Sequence, residues 1–186
     1  MMSANLSGED NRMMTFGLVG WSGSGKTTLL TKILPELIGR GYTVSTMKHT
    51  HHRFDIDRPG KDSHEHRVAG ATQVLITSSS RWALLTENRD DIEPEIDELI
   101  QRMDPVDLVL IEGFKSYPHA KLEVYRPSVG KPNLADDDDS IVAVATDEKV
   151  AVNGLPVLDL NDVPAIADFI EEFCGLSRTT GTEGAT

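Results

Sequence analysis

Cysteine is all but missing: the 186 residues contain one, Cys174. A single thiol excludes an intrachain disulfide and a multi-cysteine zinc site, and near a helix end it reads as a small buried apolar residue. Positive charge is also scarce, with 18 Lys and Arg against 30 Asp and Glu, a formal charge of −12. Nonspecific attachment to nucleic acid or to an anionic membrane is therefore disfavoured. No apolar run approaches the length of a membrane span. Met1 to Arg12 is polar and acidic and lacks the apolar centre of a signal peptide, which points to the cytoplasm. No internal repeat is found. What remains is ordinary for a globular chain, 39% hydrophobic and 26% charged, and long enough for one domain with a real core.

Against this background one stretch stands out, Gly20-Trp21-Ser22-Gly23-Ser24-Gly25-Lys26-Thr27-Thr28. It fits G-x-x-x-x-G-K-[ST], and it lies between a strand-like run, Thr15 to Val19, and a helix-like run, Thr28 to Leu34. Strand, glycine loop and helix form the order a phosphate cradle needs. Glycines let the backbone curl so that successive N–H groups face a polyphosphate, and the helix N-terminus adds partial positive charge. Gly20, Ser22, Gly23, Ser24, Gly25 and Thr28 are the expected nucleotide contacts. Lys26 is expected to reach the β- and γ-phosphates, and the Thr27 hydroxyl to take a position on Mg²⁺.

Strand and helix signals alternate from residue 13 to 175, which predicts an α/β three-layer P-loop fold with a mostly parallel central sheet. The first helix should run to about Ile38, disturbed at Pro35. A strand over 42–47 and a polar loop over 48–61 follow. Asp62 and Glu65 have capping-box spacing ahead of a short helix reaching Ala69. Residues 73–76 and 82–85 read as two short strands, and 92–103 as a helix with Pro94 near its start. Val106 to Ile111 reads as a central strand. Further strands are expected at 122–124, 141–145 and 157–158, then an amphipathic helix from Asp162. Residues 1–12 and 176–186 are expected to be disordered tails. The acidic run Asp136 to Asp139 reads as a solvated loop.

A P-loop site needs a carboxylate at the end of a neighbouring strand for Mg²⁺. Glu112 stands there, with Gly113 turning the chain away; Asp107, at the other end, reads as a solvated strand-start residue. With Lys26, Glu112 completes the expected catalytic pair. A third group of residues follows the second strand: Lys48, His49, His51, His52, Asp57, Arg58, Lys61 and Ser63. Its imidazoles and carboxylates fit a transition metal, and its cations fit an anion or a γ-phosphate sensor; a polar loop without a ligand is the plain alternative. Base identity is weakly encoded. No N-K-x-D motif occurs, and Asp147 in Ala145-Thr146-Asp147-Glu148-Lys149 is either a reader of the guanine N1–H and amine or a surface turn.

Three motifs together resemble the molybdopterin-guanine dinucleotide biosynthesis protein B family, MobB. They are the P-loop Gly20 to Thr27, the K-H-x-H-H-x-F-D-x-D-x-P-G-K-D-S stretch from Lys48 to Ser63, and Ile111-Glu112-Gly113-Phe114-Lys115. Lys121 to Arg126 and Ala145 to Glu148 are similar too, so the resemblance spans about residues 13–175. It implies a homodimer that binds GTP with Mg²⁺ and hydrolyses it weakly. It also implies a partner, the guanylyltransferase MobA, for which the protein acts as an adapter, with the Lys48–Ser63 loop facing the nucleotide or the molybdopterin phosphate. No residue is an evident general base for water, in keeping with feeble hydrolysis. Two other readings use the same residues. A small-molecule kinase would need Arg53, Arg58 or Arg67 on a lid, and a metallochaperone GTPase would use the histidines.

Overall fold

The computed structural model describes residues 13–50, 54–90, 92–150, 152 and 154–177. The expected tails lie almost wholly outside these residues, as do His51, His52 and Arg53. Two compact units are present, one formed up to His49 and from Pro105 onward, the other by residues 50–104.

The larger unit is a six-stranded sheet built from β1 (Met14–Val19), β2 (Val44–Lys48), β5 (Leu108–Glu112), β6 (Lys121–Tyr125), β7 (Ile141–Thr146) and β8 (Val157–Asp159). Their order is β2-β5-β1-β6-β7-β8, and every neighbouring pair is parallel. Flanking helices complete the α/β fold: α1 (Lys26–Gly39) and α4 (Val163–Phe173). The near-continuous apolar strands are what a sheet covered on both faces requires.

Leu29, Leu30, Ile33 and Leu37 recur on one side of α1, and Ile166, Ala167 and Ile170 on one side of α4. Both stripes pack into one cluster with Phe16, Leu18, Leu110, Leu122 and Val124. Each buried aliphatic side chain contributes roughly 1.5–3 kcal/mol relative to exposure. Cys174 joins the cluster, and burial pushes its thiol up to about 11. It is the inert apolar residue the sequence suggests. Arg40, just past α1, ties the two helices together, donating to Glu36 (3.0 Å) and to Asp168 (2.6 Å) and Glu171 (2.8 Å) of α4. Helix α1 continues through Pro35 and stops at Gly39, with Gly41 in the left-handed region. Opposite, Val19, Ile141, Val144 and Val152 form a second cluster.

The smaller unit holds an antiparallel hairpin, β3 (Gln73–Thr77) and β4 (Trp82–Thr86), with α2 (Asp62–Val68) and α3 (Ile96–Ile100). Three sequence expectations change here and in the larger unit. The capping box is not formed: Lys61 is the N-cap, without a side-chain bond, and Asp62 and Glu65 occupy the first turn, where carboxylates meet the helix's positive end. Helix α3 is one turn and a half rather than twelve residues: it starts only after Glu95, an extended N-cap, and Ile92 is exposed. Asp107 is not simply solvated; its Oδ2 accepts from the Thr43 amide (2.7 Å) and hydroxyl (2.6 Å), fastening the start of β2 to that of β5.

The acidic run is corrected as well. Lys121 is buried in the sheet with 1% exposure, and its ammonium donates to the Lys115 carbonyl (2.6 Å) and to Asp138 Oδ2 (2.7 Å). Asp138 is therefore the counterion of a buried charge. Burial pulls its carboxyl up, but the bonds from Lys121 and Ser140 outweigh this and hold it below the usual range. Asp138→Ala should cost about 3 kcal/mol in urea unfolding, because a buried ammonium is left uncompensated, whereas Asp139→Ala should cost under about 0.5 kcal/mol. Since the folded value is depressed, this stability is fully present above the ordinary carboxylate range and is lost as pH falls through the folded value. The gap between wild type and Asp138→Ala should narrow in urea titrations as pH falls below the ordinary carboxylate range. Equal effects of the two substitutions would refute the counterion role.

Candidate functional site

The sheet register sets the site. Leu18 of β1 stands beside Glu112 of β5, and Glu112 beside Lys48 of β2, so the carboxyl ends of three adjacent strands bring the P-loop, Glu112 and Lys48 together. Beyond Val19 the loop curls through Gly20, Gly23 and Gly25, all at positive φ. Gly20 is constrained twice, because a Cβ there would come within 2.4 Å of the Val124 carbonyl and 2.7 Å of Ser24 Oγ. Gly25, at φ 98°, is the N-cap of α1 and supplies no side-chain cap bond. The amides of the first helical turn thus have no side-chain acceptor from the cap, the arrangement that suits an anion.

Lys26 folds back onto the loop that carries it, donating to the Gly20 carbonyl (2.9 Å) and the Trp21 carbonyl (3.0 Å). The Thr27 hydroxyl donates to Glu112 Oε1 (2.9 Å), and the Lys48 ammonium lies 3.2 Å from that same oxygen. Glu112 is buried, while the Lys48 side chain is 61% exposed. Burial holds the Lys26 ammonium below the ordinary lysine value; Glu112 opposes this, and Lys115 and Lys48 add to it. Burial lowers Lys115 too. An arriving polyanion relieves both the desolvation and the mutual repulsion of these ammonium groups. Ser24 Oγ, buried in the loop, has no hydrogen-bond partner among the described residues. An orphaned hydroxyl, uncapped amides and a lysine parked on its own loop fit a bound triphosphate, and Thr27 with Glu112 fits Mg²⁺.

Beyond Glu112 the chain turns sharply. Gly113 has φ 98°, and Phe114 has φ 50°, a left-handed conformation that is an outlier for a bulky residue and costs roughly 1–3 kcal/mol. The His49 ring lies 4.4 Å from that of Phe114, and the His49 amide donates to the Glu112 carbonyl (2.9 Å). His49 thus braces the turn behind Glu112. The turn delivers Lys115 to the P-loop, its ammonium 4.0 Å from the centre of the Trp21 ring.

The remaining predicted residues are divided. Gly20 to Thr28, Lys48, His49 and Glu112 gather in the larger unit. Asp57, Arg58, Lys61 and Ser63 belong to the smaller one, where Asp57 Oδ1 accepts from the Arg58 amide (3.0 Å) and the Ser63 hydroxyl (2.8 Å). Asp57 and Ser63 therefore shape their own turn. Among the described residues no three His, Cys, Asp or Glu side chains converge as a metal site, and no helix is long and apolar enough to cross a membrane. Asp147 is linked to the P-loop through Arg126, which pairs with Asp147 Oδ2 at 2.5 Å and donates to the Ser24 carbonyl at 3.0 Å. Sequence reading passed over Arg126, Trp21 and Lys115 as site residues. The available signal was position: Arg126 directly follows β6, the strand next to β1.

Comparison with known proteins agrees with this geometry. Residues 15–147 match the family model for molybdopterin guanine dinucleotide synthesis protein B, MobB. The molybdopterin-guanine dinucleotide biosynthesis adapter protein of Escherichia coli strain K12 is 46% identical over 156 residues, covering 82% of this chain and 89% of that one. The adapter protein of the same name from Haemophilus influenzae is 43% identical, over 88% of this chain and 91% of its own. A crystal structure of molybdopterin-guanine biosynthesis protein B superposes with a TM-score of 0.69 at 28% identity, covering 86% of this chain and 99% of the other. By family model, by identity over most of its length and by fold, this chain belongs to the MobB family.

Proposed function

We propose that the chain is a GTP-binding adapter in molybdenum-cofactor maturation. It assists a MobA-type guanylyltransferase, in the cytoplasm, in converting Mo-molybdopterin to its guanine dinucleotide. The observation that carries the nucleotide part is the convergence of Lys26, Thr27 and Glu112 on an uncapped helix N-terminus. Lys26 would leave the Gly20 and Trp21 carbonyls for the β- and γ-phosphates, and the amides of Gly23 to Thr28 would hold the rest of the triphosphate. Thr27 and Glu112 would hold Mg²⁺, which supplies charge neutralisation to the phosphates. Lys48, paired with Glu112, is placed to balance that carboxylate when nucleotide is absent.

The adapter part rests on the relatives, whose printed names give that role. A homodimer is supported by the hairpin of the smaller unit, where Leu75 and Leu84 face each other across β3 and β4 and are 62% and 48% exposed, with Trp82 63% exposed. A second copy of the chain is the occupant proposed for that apolar surface. Molybdopterin itself would meet Lys48 and His49, at and just after the carboxyl end of β2.

Calorimetric titration of GTP and ATP, with and without Mg²⁺, should show tighter binding of GTP, and Lys26→Ala should weaken it about 100-fold without loss of folding. Unaltered affinity in that variant would sink the site assignment, and equal binding of ATP would sink the choice of GTP. Glu112→Gln should weaken binding about tenfold with Mg²⁺ and under about threefold without it; equal losses would make Glu112 a structural acid. Sedimentation of Leu84→Asp should show a monomer where the wild type is a dimer, and a dimer that survives the charge would move the interface elsewhere.

A further inference from the structure

On the side of the P-loop away from Glu112, the next two strands end in charged residues that belong together. Arg126 directly follows β6 and Asp147 directly follows β7. The Arg126 guanidinium is forked between two acceptors: Nε donates to the main-chain carbonyl of Ser24 at 3.0 Å, and Nη1 donates to Asp147 Oδ2 at 2.5 Å. Its Nε also lies 3.5 Å from where a Cβ of Gly25 would stand, so the guanidinium rests against the N-cap of α1. One rigid plane therefore holds both the phosphate loop and a carboxylate at the neighbouring strand end. A lysine ammonium has no such fork.

We propose that Arg126 is a positioning residue that fixes Asp147 relative to the P-loop, so that base recognition and triphosphate binding share one geometry. The proposal rests on the GTP-binding reading above. Guanine presents two adjacent donors, N1–H and the exocyclic amine, whereas adenine presents no such pair. A carboxylate has about four acceptor positions, and Arg126 takes one of them, on Oδ2. Enough remain for both guanine donors. Without Arg126, Asp147 would keep its charge but lose its fixed distance from the loop. A base reader must stand at a set distance from the phosphates, because the nucleoside between them has a set length. Arg126 commits Nε to Ser24 and Nη1 to Asp147, so its role is to position rather than to read.

The test compares the full chain with Arg126→Ala and Arg126→Lys, titrated with GTP, ATP and inorganic tripolyphosphate in the presence of Mg²⁺. Tripolyphosphate has the phosphates and no base, so it reports the P-loop alone and serves as the control for folding. Arg126→Ala should lose about tenfold for GTP and under about threefold for tripolyphosphate, with the GTP:ATP ratio falling by a similar tenfold. Arg126→Lys should retain tripolyphosphate binding and still show the lowered GTP:ATP ratio, because charge without the fork cannot hold both acceptors. Equal losses for GTP and tripolyphosphate in both variants would reduce Arg126 to a prop for the loop and overturn the proposal. A wild-type preference for GTP that both variants keep would overturn this proposal alone. A wild-type protein that binds GTP and ATP equally would overturn it together with the GTP reading.

Discussion

The parallel pairing of β1, with β5 on one side and β6 on the other, fixes where every charged group of the site can stand. In a parallel sheet all strands deliver their carboxyl ends to one edge, and the connections there are free to carry polar chemistry. β1 supplies the P-loop, β5 and β2 supply Glu112 and Lys48, and β6 and β7 supply Arg126 and Asp147. None of these contacts is local in sequence; Thr27 and Glu112 are 85 residues apart, and Ser24 and Arg126 are 102. Their geometry is inherited from strand order. A close approach inside the sheet protects that order: a Cβ on Gly17 would stand 2.3 Å from His119 Nε2 and 2.9 Å from Lys121 Cγ. A side chain there would have to displace the buried His119 ring and the Lys121 stem.

Charge in this protein is arranged by position rather than by quantity. A chain carrying −12 repels nucleoside triphosphates at long range, so attraction must come from groups held close to the phosphates and partly removed from water. Lys26 and Lys115 meet that condition, both with ammonium values lowered by burial. Burial, the main cause for both, leaves these ammonium groups less well compensated than in water, which suits the anion proposed above. Among the described residues, the two fully interior ionic groups, in contrast, are already satisfied within the fold. Lys121 is paired with Asp138, and Glu123 accepts from the Leu134 and Ala135 amides at 2.9 Å, while burial still pushes its carboxyl up. The first kind of charge suits the nucleotide proposed above; the second holds the layer opposite α1 and α4 to the sheet.

Much of this was legible in the sequence, for reasons tied to range. The P-loop, the helix after it and the strand ending in Glu112 are local patterns with steric causes, and the structure has them within a residue or two. The two short strands of the smaller unit were readable from the apolar runs at 73–76 and 82–85, while their antiparallel pairing emerges only in the fold. Legibility failed where a side chain's role is set by a distant partner. Asp138 sits in a run that looks like solvated acid, and only the fold reveals the buried Lys121 beside it. Asp107 looks like a strand-start residue, and only the adjacency of β2 and β5 shows that it clamps Thr43. Helix α3 was overestimated because apolar spacing over 92–103 mimics an amphipathic stripe, whereas Ile92 is exposed and Glu95 is extended.

The same geometry bears on what the site does with a nucleotide. Hydrolysis asks for a base that is within reach of a water and has an acceptor to spare. Glu112 is buried, and both Thr27 and Lys48 address its Oε1, so its first commitment is to the loop and to the cation beside it. Asp147 is tied to Arg126. Lys26, Lys48 and Lys115 bring positive charge, which stabilises bound phosphates but abstracts no proton from water. Among the described residues both strand-end carboxylates already have partners, which suits the proposed reading of a site that retains a triphosphate. Retention is what an adapter needs if it is to present a nucleotide, or the conformation that a nucleotide enforces, to a partner enzyme. The strained Phe114, directly between Glu112 and Lys115, gives such a conformation a place to originate. Relaxing its backbone would move Glu112 and the lysine over Trp21 together.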